Sequence, residues 1–249
     1  VLDKIVTNMK ILVIPDIHQK IALVNQILEK QEKEVDLTVF LGDYFDDFDD
    51  NQYEVNAMAT WLKSNLYKDK RVFLMGNHDF HYRVLPYALY CSGYAYWKHD
   101  IIKEIISEND WNQIRYFYSV NNFWFSHAGI TEKWFSHPVH GLTPETIENT
   151  LLDVEKAVSR RDYGALGPVW AADRFRGGPH RKGGLLWNDL RNSEFIPDVT
   201  QVMGHTPLTI PIIDKDDQTN SRNVFCDTHL SHYLVVDTDS NEIEIFENK

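Results

Sequence analysis

Three features of the 249-residue sequence predict an α/β fold built on a parallel sheet. Short apolar runs recur, each closed by polar residues able to hold a metal. The first three runs are separated by stretches with helical spacing. In every case the polar residues stand at the carboxyl end of their run. The runs cover residues 11–15, 37–41, 72–75, 123–125 and 199–203. Their Val, Ile, Leu and Phe content and the adjoining Gly or Pro mark buried strands. Between the first three, Ile21, Val24 and Leu28 share one helical face, as do Val55, Met58 or Ala59, and Leu62. Strand–helix–strand crossovers of this length imply parallel pairing. Ligands of such sheets bind beyond the carboxyl ends of the strands.

The later elements follow by the same reading. Residues 80–118 are rich in aromatics (Tyr82, Tyr87, Tyr90, Tyr94, Tyr96, Trp97, Trp111, Tyr116, Phe117, Tyr118) and are expected to pack as helices beside the sheet. Thr143 can cap a helix whose first turn takes Pro144 and whose buried face takes Ile147, Leu151, Val154 and Val158. Residues 163–184, Gly-rich and basic, read as a long loop, and the alternation over 233–246 as one or two strands. A single domain over residues 1–249 is expected. Met9-Lys10 directly precedes the first run, so residues 1–8 are expected to be an extension outside the core.

Bulk composition narrows the function. With 43% hydrophobic residues the chain can bury a core. A net charge of −12 disfavours a broad grip on nucleic acid. No apolar run approaches the roughly 20 residues that span a bilayer, so no membrane partner is expected. No apolar leader opens the chain. Cys91 and Cys226 are far apart and lie in no C-x-x-C, so reduced thiols and a cytoplasmic location are the expectation.

Each run ends in chemistry that suits a divalent cation. Asp16 and His18 are two apart, a spacing that aims both the same way from an extended strand end. The two oxygens of Asp43 allow it to bridge two cations. Asn77, His127 and His205 add an amide oxygen and two imidazoles. Oxygen donors mixed with imidazole, without thiolate, suit Mn, Fe, Zn or Co better than Ca. Separately these pieces are weak, since Asp-x-His is often a surface turn and Gly-Asp is common turn chemistry. Gly76-Asn77-His78-Asp79 is far more specific, and five pieces in order at strand ends more specific still.

Asp16-Ile-His18, Gly42-Asp43-Tyr-Phe-Asp46, Gly76-Asn77-His78-Asp79, His127-Ala-Gly129 and Gly204-His205-Thr206 together resemble the five blocks of the calcineurin-like metallophosphoesterase superfamily. The resemblance implies a two-sheet αββα sandwich with a pair of divalent metals, Mn²⁺ first, with Fe, Zn, Co or Mg as alternatives. One metal would take Asp16, His18 and Asp43; the other Asp43, Asn77, His127 and His205. Pro207 stands where many phosphodiesterase members have a second histidine. The Gly-His-Thr-Pro form, Leu185-Leu-Trp-Asn-Asp189 and Asp227-Thr228 resemble the branch of the phosphoprotein phosphatases and symmetrical dinucleoside tetraphosphatases. His127-Ala-Gly-Ile-Thr131 and Gly76-Asn-His-Asp-Phe-His81 lean toward the latter.

The implied activity is a phosphatase: metal-dependent hydrolysis of a phosphoester, with a metal-bridging hydroxide attacking phosphorus in line. His78 is the candidate acid for the leaving group, its ring oriented by Asp46. Phosphoprotein phosphatases usually carry an Arg after the Asp46 equivalent to hold the phosphate; Asp47 occupies that place here, so the phosphate needs another clamp. Arg174, Arg176 and Arg181 of the basic loop, and Arg191, are the candidates. The substrate is expected to be a small phosphorylated compound or nucleotide, with a phosphoprotein as a further option. A dinucleoside-polyphosphate hydrolase or nucleotide phosphodiesterase is the alternative, and a catalytically silent protein-binding scaffold the remote one. The remaining histidines, His81 and His229 among them, carry no motif and are read as ordinary.

Overall fold

The computed structural model describes residues 8–84 and 89–249. Tyr87 and residues 1–7, which make up most of the expected extension, lie outside the described residues.

Two five-stranded sheets lie face to face. The first contains β1 (Lys10–Ile14), β2 (Leu37–Phe40), β3 (Arg71–Phe73), β9 (His232–Asp237) and β10 (Glu242–Glu247) in the order β10-β9-β1-β2-β3. The second contains β4 (Phe117–Val120), β5 (Phe123–Ser126), β6 (Thr200–Met203), β7 (Ile212–Asp216) and β8 (Ser221–Phe225) in the order β4-β5-β6-β8-β7. β1, β2 and β3 run parallel, as the helical crossovers require, and so do β5, β6 and β8. Antiparallel strands finish one edge of the first sheet, β9 and β10, and both edges of the second, β4 and β7.

Alternation along the strands builds the layers. Ile11 and Val13 face inward with Val39, Leu41, Phe123, Phe125, Val202, Val224, Leu234 and Val236, forming the apolar seam between the sheets. Leu12 and Ile14 point the other way, into a second apolar cluster that they share with residues of the helices. α1 (Ile21–Gln31) and α2 (Gln52–Asn65) bury Val24, Ile27, Val55, Met58 and Leu62 there. α7 (Pro144–Arg160), capped by Thr143 as expected, buries Ile147, Leu151 and Val154; Val158 is half-buried. The result is the αββα sandwich implied by the resemblance.

Three local expectations need correction. The aromatic stretch does supply α3 (Asn77–Arg83), α4 (Tyr96–Ile105) and α5 (Glu108–Trp111), but Phe117 and Tyr118 belong to β4. Phe117 and Tyr118 pair with Ser126 and Phe125, so the sheet edge overrides the helical reading. Residues 163–184 are not uniform loop: beyond α6 (Glu132–Phe135), α8 (Gly167–Trp170) and a 3₁₀ turn at Arg174–Arg176 interrupt them. β7 and β8 had no sequence expectation at all; β7 is mostly exposed and polar, which hides the alternation.

One buried carboxylate sets the spacing between the β2 and β3 ends. Asp79 Oδ2 accepts from the backbone N–H of Asp43 at 2.8 Å and of Gly76 at 2.9 Å, and Oδ1 accepts from Tyr44 N–H at 2.8 Å. Gly76 must lack a side chain, because a Cβ there would lie 2.1 Å from Asp43 Oδ1. Replacing Asp79 by Ala leaves three N–H groups unpaired in a buried region, at about 1–3 kcal/mol each where no relaxation occurs. Asp79→Ala should therefore lower the unfolding free energy by roughly 3–5 kcal/mol in urea titrations. A loss below about 1 kcal/mol would show that these loops do not depend on Asp79.

Candidate metal centre

The carboxyl ends of β1, β2, β3, β5 and β6 meet at one edge of the sandwich, and the six residues expected to bind metal converge there. His205 N–H donates to both oxygens of Asp16, at 3.1 and 3.0 Å, joining the two sheets. Gly204 has to be glycine for this approach, since a Cβ would stand 2.0 Å from Asp16 Oδ1. Asp16 and His18 do come together, but not by strand alternation. β1 has ended at Ile14, and the chain turns through left-handed His18 and Gln19, with φ of 42° and 63°. Asp43, Asp46 and His205 are left-handed as well, at 51°, 64° and 64°. That conformation costs a non-glycine residue roughly 1–2 kcal/mol, and His18, Asp43, Asp46 and His205, which bear it, line one cavity.

Two groups of donors share one member. Asp16, His18 and Asp43 form the first, and Asp43, His127 and His205 the second, with the donor atoms of each group within 4.8 Å of one another. Asp43 Oδ2 lies 3.6 Å from His18 Nε2 and 3.5 Å from His127 Nε2. Asn77 Oδ1 joins the second group, 2.8 Å from His127 Nε2 and 3.0 Å from His205 Nδ1. Metal–ligand bonds of about 2.0–2.2 Å set neighbouring donors roughly 3 Å apart, so these spacings suit a cation.

The imidazoles are held in the form a cation needs. His127 Nδ1 donates to the Leu41 carbonyl at 2.9 Å, and His18 Nδ1 to the Asp46 carbonyl at 2.8 Å, which leaves each Nε2 lone pair facing the cluster. Burial, with neighbouring His78, brings His18 down to about 4, and burial brings His127 down to about 3. His205 is pushed well below its ordinary value by burial and by His127 beside it. All three are therefore neutral at pH 7. The carboxyls move the other way. Burial raises Asp16, aided by Asp227, and raises Asp43, aided by Asp16 and Asp79. Buried carboxylates without a cation and imidazoles without a proton form a donor set short of positive charge, and divalent ions fit it.

Next to this set stands the His78–Asp46 pair. His78 Nδ1 is 3.0 Å from Asp46 Oδ2, while its backbone N–H donates to Asp43 Oδ1 at 2.9 Å. Burial alone would raise the Asp46 carboxyl, but hydrogen bonds from His78 and His81 hold it far below the usual carboxylate range. An ionised Asp46 can only accept, so His78 donates through Nδ1 and its Nε2 is the remaining ring nitrogen.

A cavity of about 260 Å³ opens over both features, lined by His18, Asp43, Asp46, Asn77, His78 and His205. Asp16 and His127 are buried and take no part in the lining. Of the four arginines considered, Arg176 alone lines it. Its guanidinium donates to Thr206 Oγ1 at 2.6 Å and to the His205 carbonyl at 3.1 Å, and pairs with Asp189 at 3.0 Å. Arg174, Arg181 and Arg191 are exposed and lie off the lining; Arg191 stacks 4.1 Å over Phe175 and forks onto Asp189.

Several residues at the site were given no role from the sequence. Lys20 lines the cavity and pairs at 3.3 Å with Asp47, the residue found in place of the expected arginine. His229, Trp187 and Asp227 also line it. His81, read as ordinary, is fully buried with Nε2 3.0 Å from Asp46 Oδ2. Its spacing of three from His78 on a helix was the signal that could have found it. Asp50, in the acidic stretch that follows Asp46, pairs with Lys98 at 2.7 Å.

Comparisons with known proteins bear on the family and the fold. No curated protein matches the sequence. A serine/threonine phosphatase structure from Saccharomyces cerevisiae, with similarity to human phosphatase PP5, is 18% identical at a TM-score of 0.50, covering 96% of this chain and 79% of that one. A protein provisionally described as a diadenosine tetraphosphatase is 14% identical at a TM-score of 0.49, covering 96% and 93%. A metallophosphoesterase from Sphaerobacter thermophilus is 12% identical at 0.47, covering 97% and 88%. At such identities the yeast enzyme's likeness speaks to fold alone. The family model for calcineurin-like phosphoesterases, however, matches residues 9–235, nearly the whole chain. With that match, and with its donor set at the strand ends, the chain belongs to the calcineurin-like phosphoesterase family.

Proposed function

We propose that this protein is a phosphatase with a two-metal centre, acting on a small phosphorylated substrate. The observation that carries the reading is Asp43 Oδ2, which stands 3.6 and 3.5 Å from one histidine of each donor group and so can belong to both. Asp16, His18 and Asp43 would hold one ion, and Asp43, Asn77, His127 and His205 the other. Mn²⁺ suits this mixture of carboxylate, amide and imidazole donors. When bound, such ions supply Lewis acidity, acidifying water and neutralising phosphoryl oxygens.

The chain's own residues do the rest. Arg176, fixed by Asp189 and Thr206, presents a planar cation to a phosphoryl group in the cavity. Lys20 supports it from another part of the lining. His78, oriented through Nδ1, offers Nε2 as the atom that gives a proton to the departing alkoxide oxygen. Asp46 stabilises the imidazolium before that transfer and keeps the ring from turning. A cavity of about 260 Å³ favours a phosphoryl group with a compact remainder over a whole dinucleotide. It supports the phosphatase reading over the dinucleoside-polyphosphate alternative. Among the described residues no helix is long and apolar enough to cross a membrane.

Three outcomes test the proposal. Mass spectrometry under native conditions should count two metals per chain after loading with Mn²⁺. Asp43→Ala should lose both together with activity, and chelation should lower the melting temperature of the wild type but not of the variant. Two metals retained by Asp43→Ala would remove the bridging role. Secondly, His78→Ala should slow hydrolysis of phenyl phosphate, a poor leaving group, about 10²-fold while slowing nitrophenyl phosphate far less; equal losses on the two esters would end its role as acid. Thirdly, Arg176→Met should raise KM for the monoester about tenfold with metal content intact, whereas an unchanged KM would place the clamp elsewhere.

A further inference from the structure

Lys98 is a buried ammonium that the reaction proposed above does not use. It lies on α4, outside the five strand-end motifs, and is only 4% exposed. Its Nζ stands 3.1 Å from Asp46 Oδ1, 2.7 Å from Asp50 Oδ2 and 2.8 Å from the Gly93 carbonyl. Three partners match the three N–H groups of an ammonium. A buried charge is costly unless it is paired in this way.

The carboxylate it touches is crowded. Asp46 Oδ2 has His78 Nδ1 and His81 Nε2, each at 3.0 Å. Asp46 Oδ1 has Lys98 and the Tyr82 hydroxyl, the latter at 2.5 Å. Three hydrogen bonds and the close His81 ring crowd the carboxylate, which holds Asp46 against His78. The packing behind it is close as well: a Cβ on Gly93 would lie 2.8 Å from Asp46 Cβ. Residues 93–98 therefore form a buttress that reaches the reaction through the contact of Lys98 with Asp46.

We propose that Lys98 is a positioning residue for proton donation, acting through Asp46 to fix the ring of His78. This rests on the reading of His78 as the acid. Lys98 touches none of the six residues assigned to the two ions and does not itself line the cavity, so its loss should spare metal binding and substrate affinity. What it should impair is the step in which the leaving oxygen needs a proton.

The experiment uses the Mn²⁺-loaded full chain and two monoesters, phenyl phosphate and nitrophenyl phosphate. In Lys98→Met, kcat on phenyl phosphate should fall about tenfold further than on nitrophenyl phosphate, with both KM values and the metal count unchanged. Parallel losses on the two esters, or no loss on either, would overturn the role. His78→Ala, run beside it, separates two kinds of failure. If His78→Ala discriminates between the esters and Lys98→Met does not, only the Lys98 assignment falls. If His78→Ala fails to discriminate, the acid reading falls and takes this proposal with it. Should Lys98→Met lack a cooperative melting transition, Asp50→Asn, which loosens Lys98 from its second partner, decides by the same ratio.

Discussion

The site depends on a carboxylate that never reaches the cavity. Asp79 accepts the backbone N–H groups of Gly76, Asp43 and Tyr44, tying the turn after β2 to the start of α3. Without that tie, Asp43 has no fixed position relative to Asn77, and the donor group they share disperses. The charge of Asp79 has a second effect, since with Asp16 it raises the buried Asp43 carboxyl. The same residue that builds the geometry thus adds to the negative potential that divalent cations would relieve.

Backbone carbonyls do comparable work for the imidazoles. Leu41 and Asp46 accept from Nδ1 of His127 and His18, so the tautomer is chosen by β2 and the turn that follows it. His205 contributes its Nδ1 instead, and its Nε2 is buried without a hydrogen-bond partner. Metal affinity and fold are coupled at such a site, because His18 and His127 are oriented by carbonyls at the β2 end and Asp16 by the N–H of His205.

Positive charge is distributed in layers outside the donor set. Arg176 and Lys20 line the cavity, each tethered to an aspartate, Asp189 and Asp47 respectively. Lys98 is deeper and holds Asp46 and Asp50. A chain with net charge −12 thereby places three of its 25 lysines and arginines around the proposed phosphoryl site and proton donor.

The fold and the donor set were largely legible in the sequence because both are local signals. An apolar run followed by Gly and a ligand encodes a buried strand and the tight turn beyond it, and Gly76 and Gly204 are required by side chains that nearly touch their α-carbons. Which arginine meets the cavity was not legible. Arg174, Arg176 and Arg181 read alike in one basic loop, with Arg191 beyond it, and the bond to Thr206 and the place in the lining single out Arg176. His81 and Lys98 were hidden for the same reason, since their partner Asp46 is distant in sequence, 35 and 52 positions away for an ordinary-looking histidine and lysine. The sequence by itself determined the five strands that carry the site, the first crossovers and the candidate donors, because hydrophobic periodicity and turn chemistry act over a few residues. Tertiary structure alone decided which charges pair, because ion pairs and buried hydrogen bonds are made between segments that only packing brings within 3 Å or so of each other.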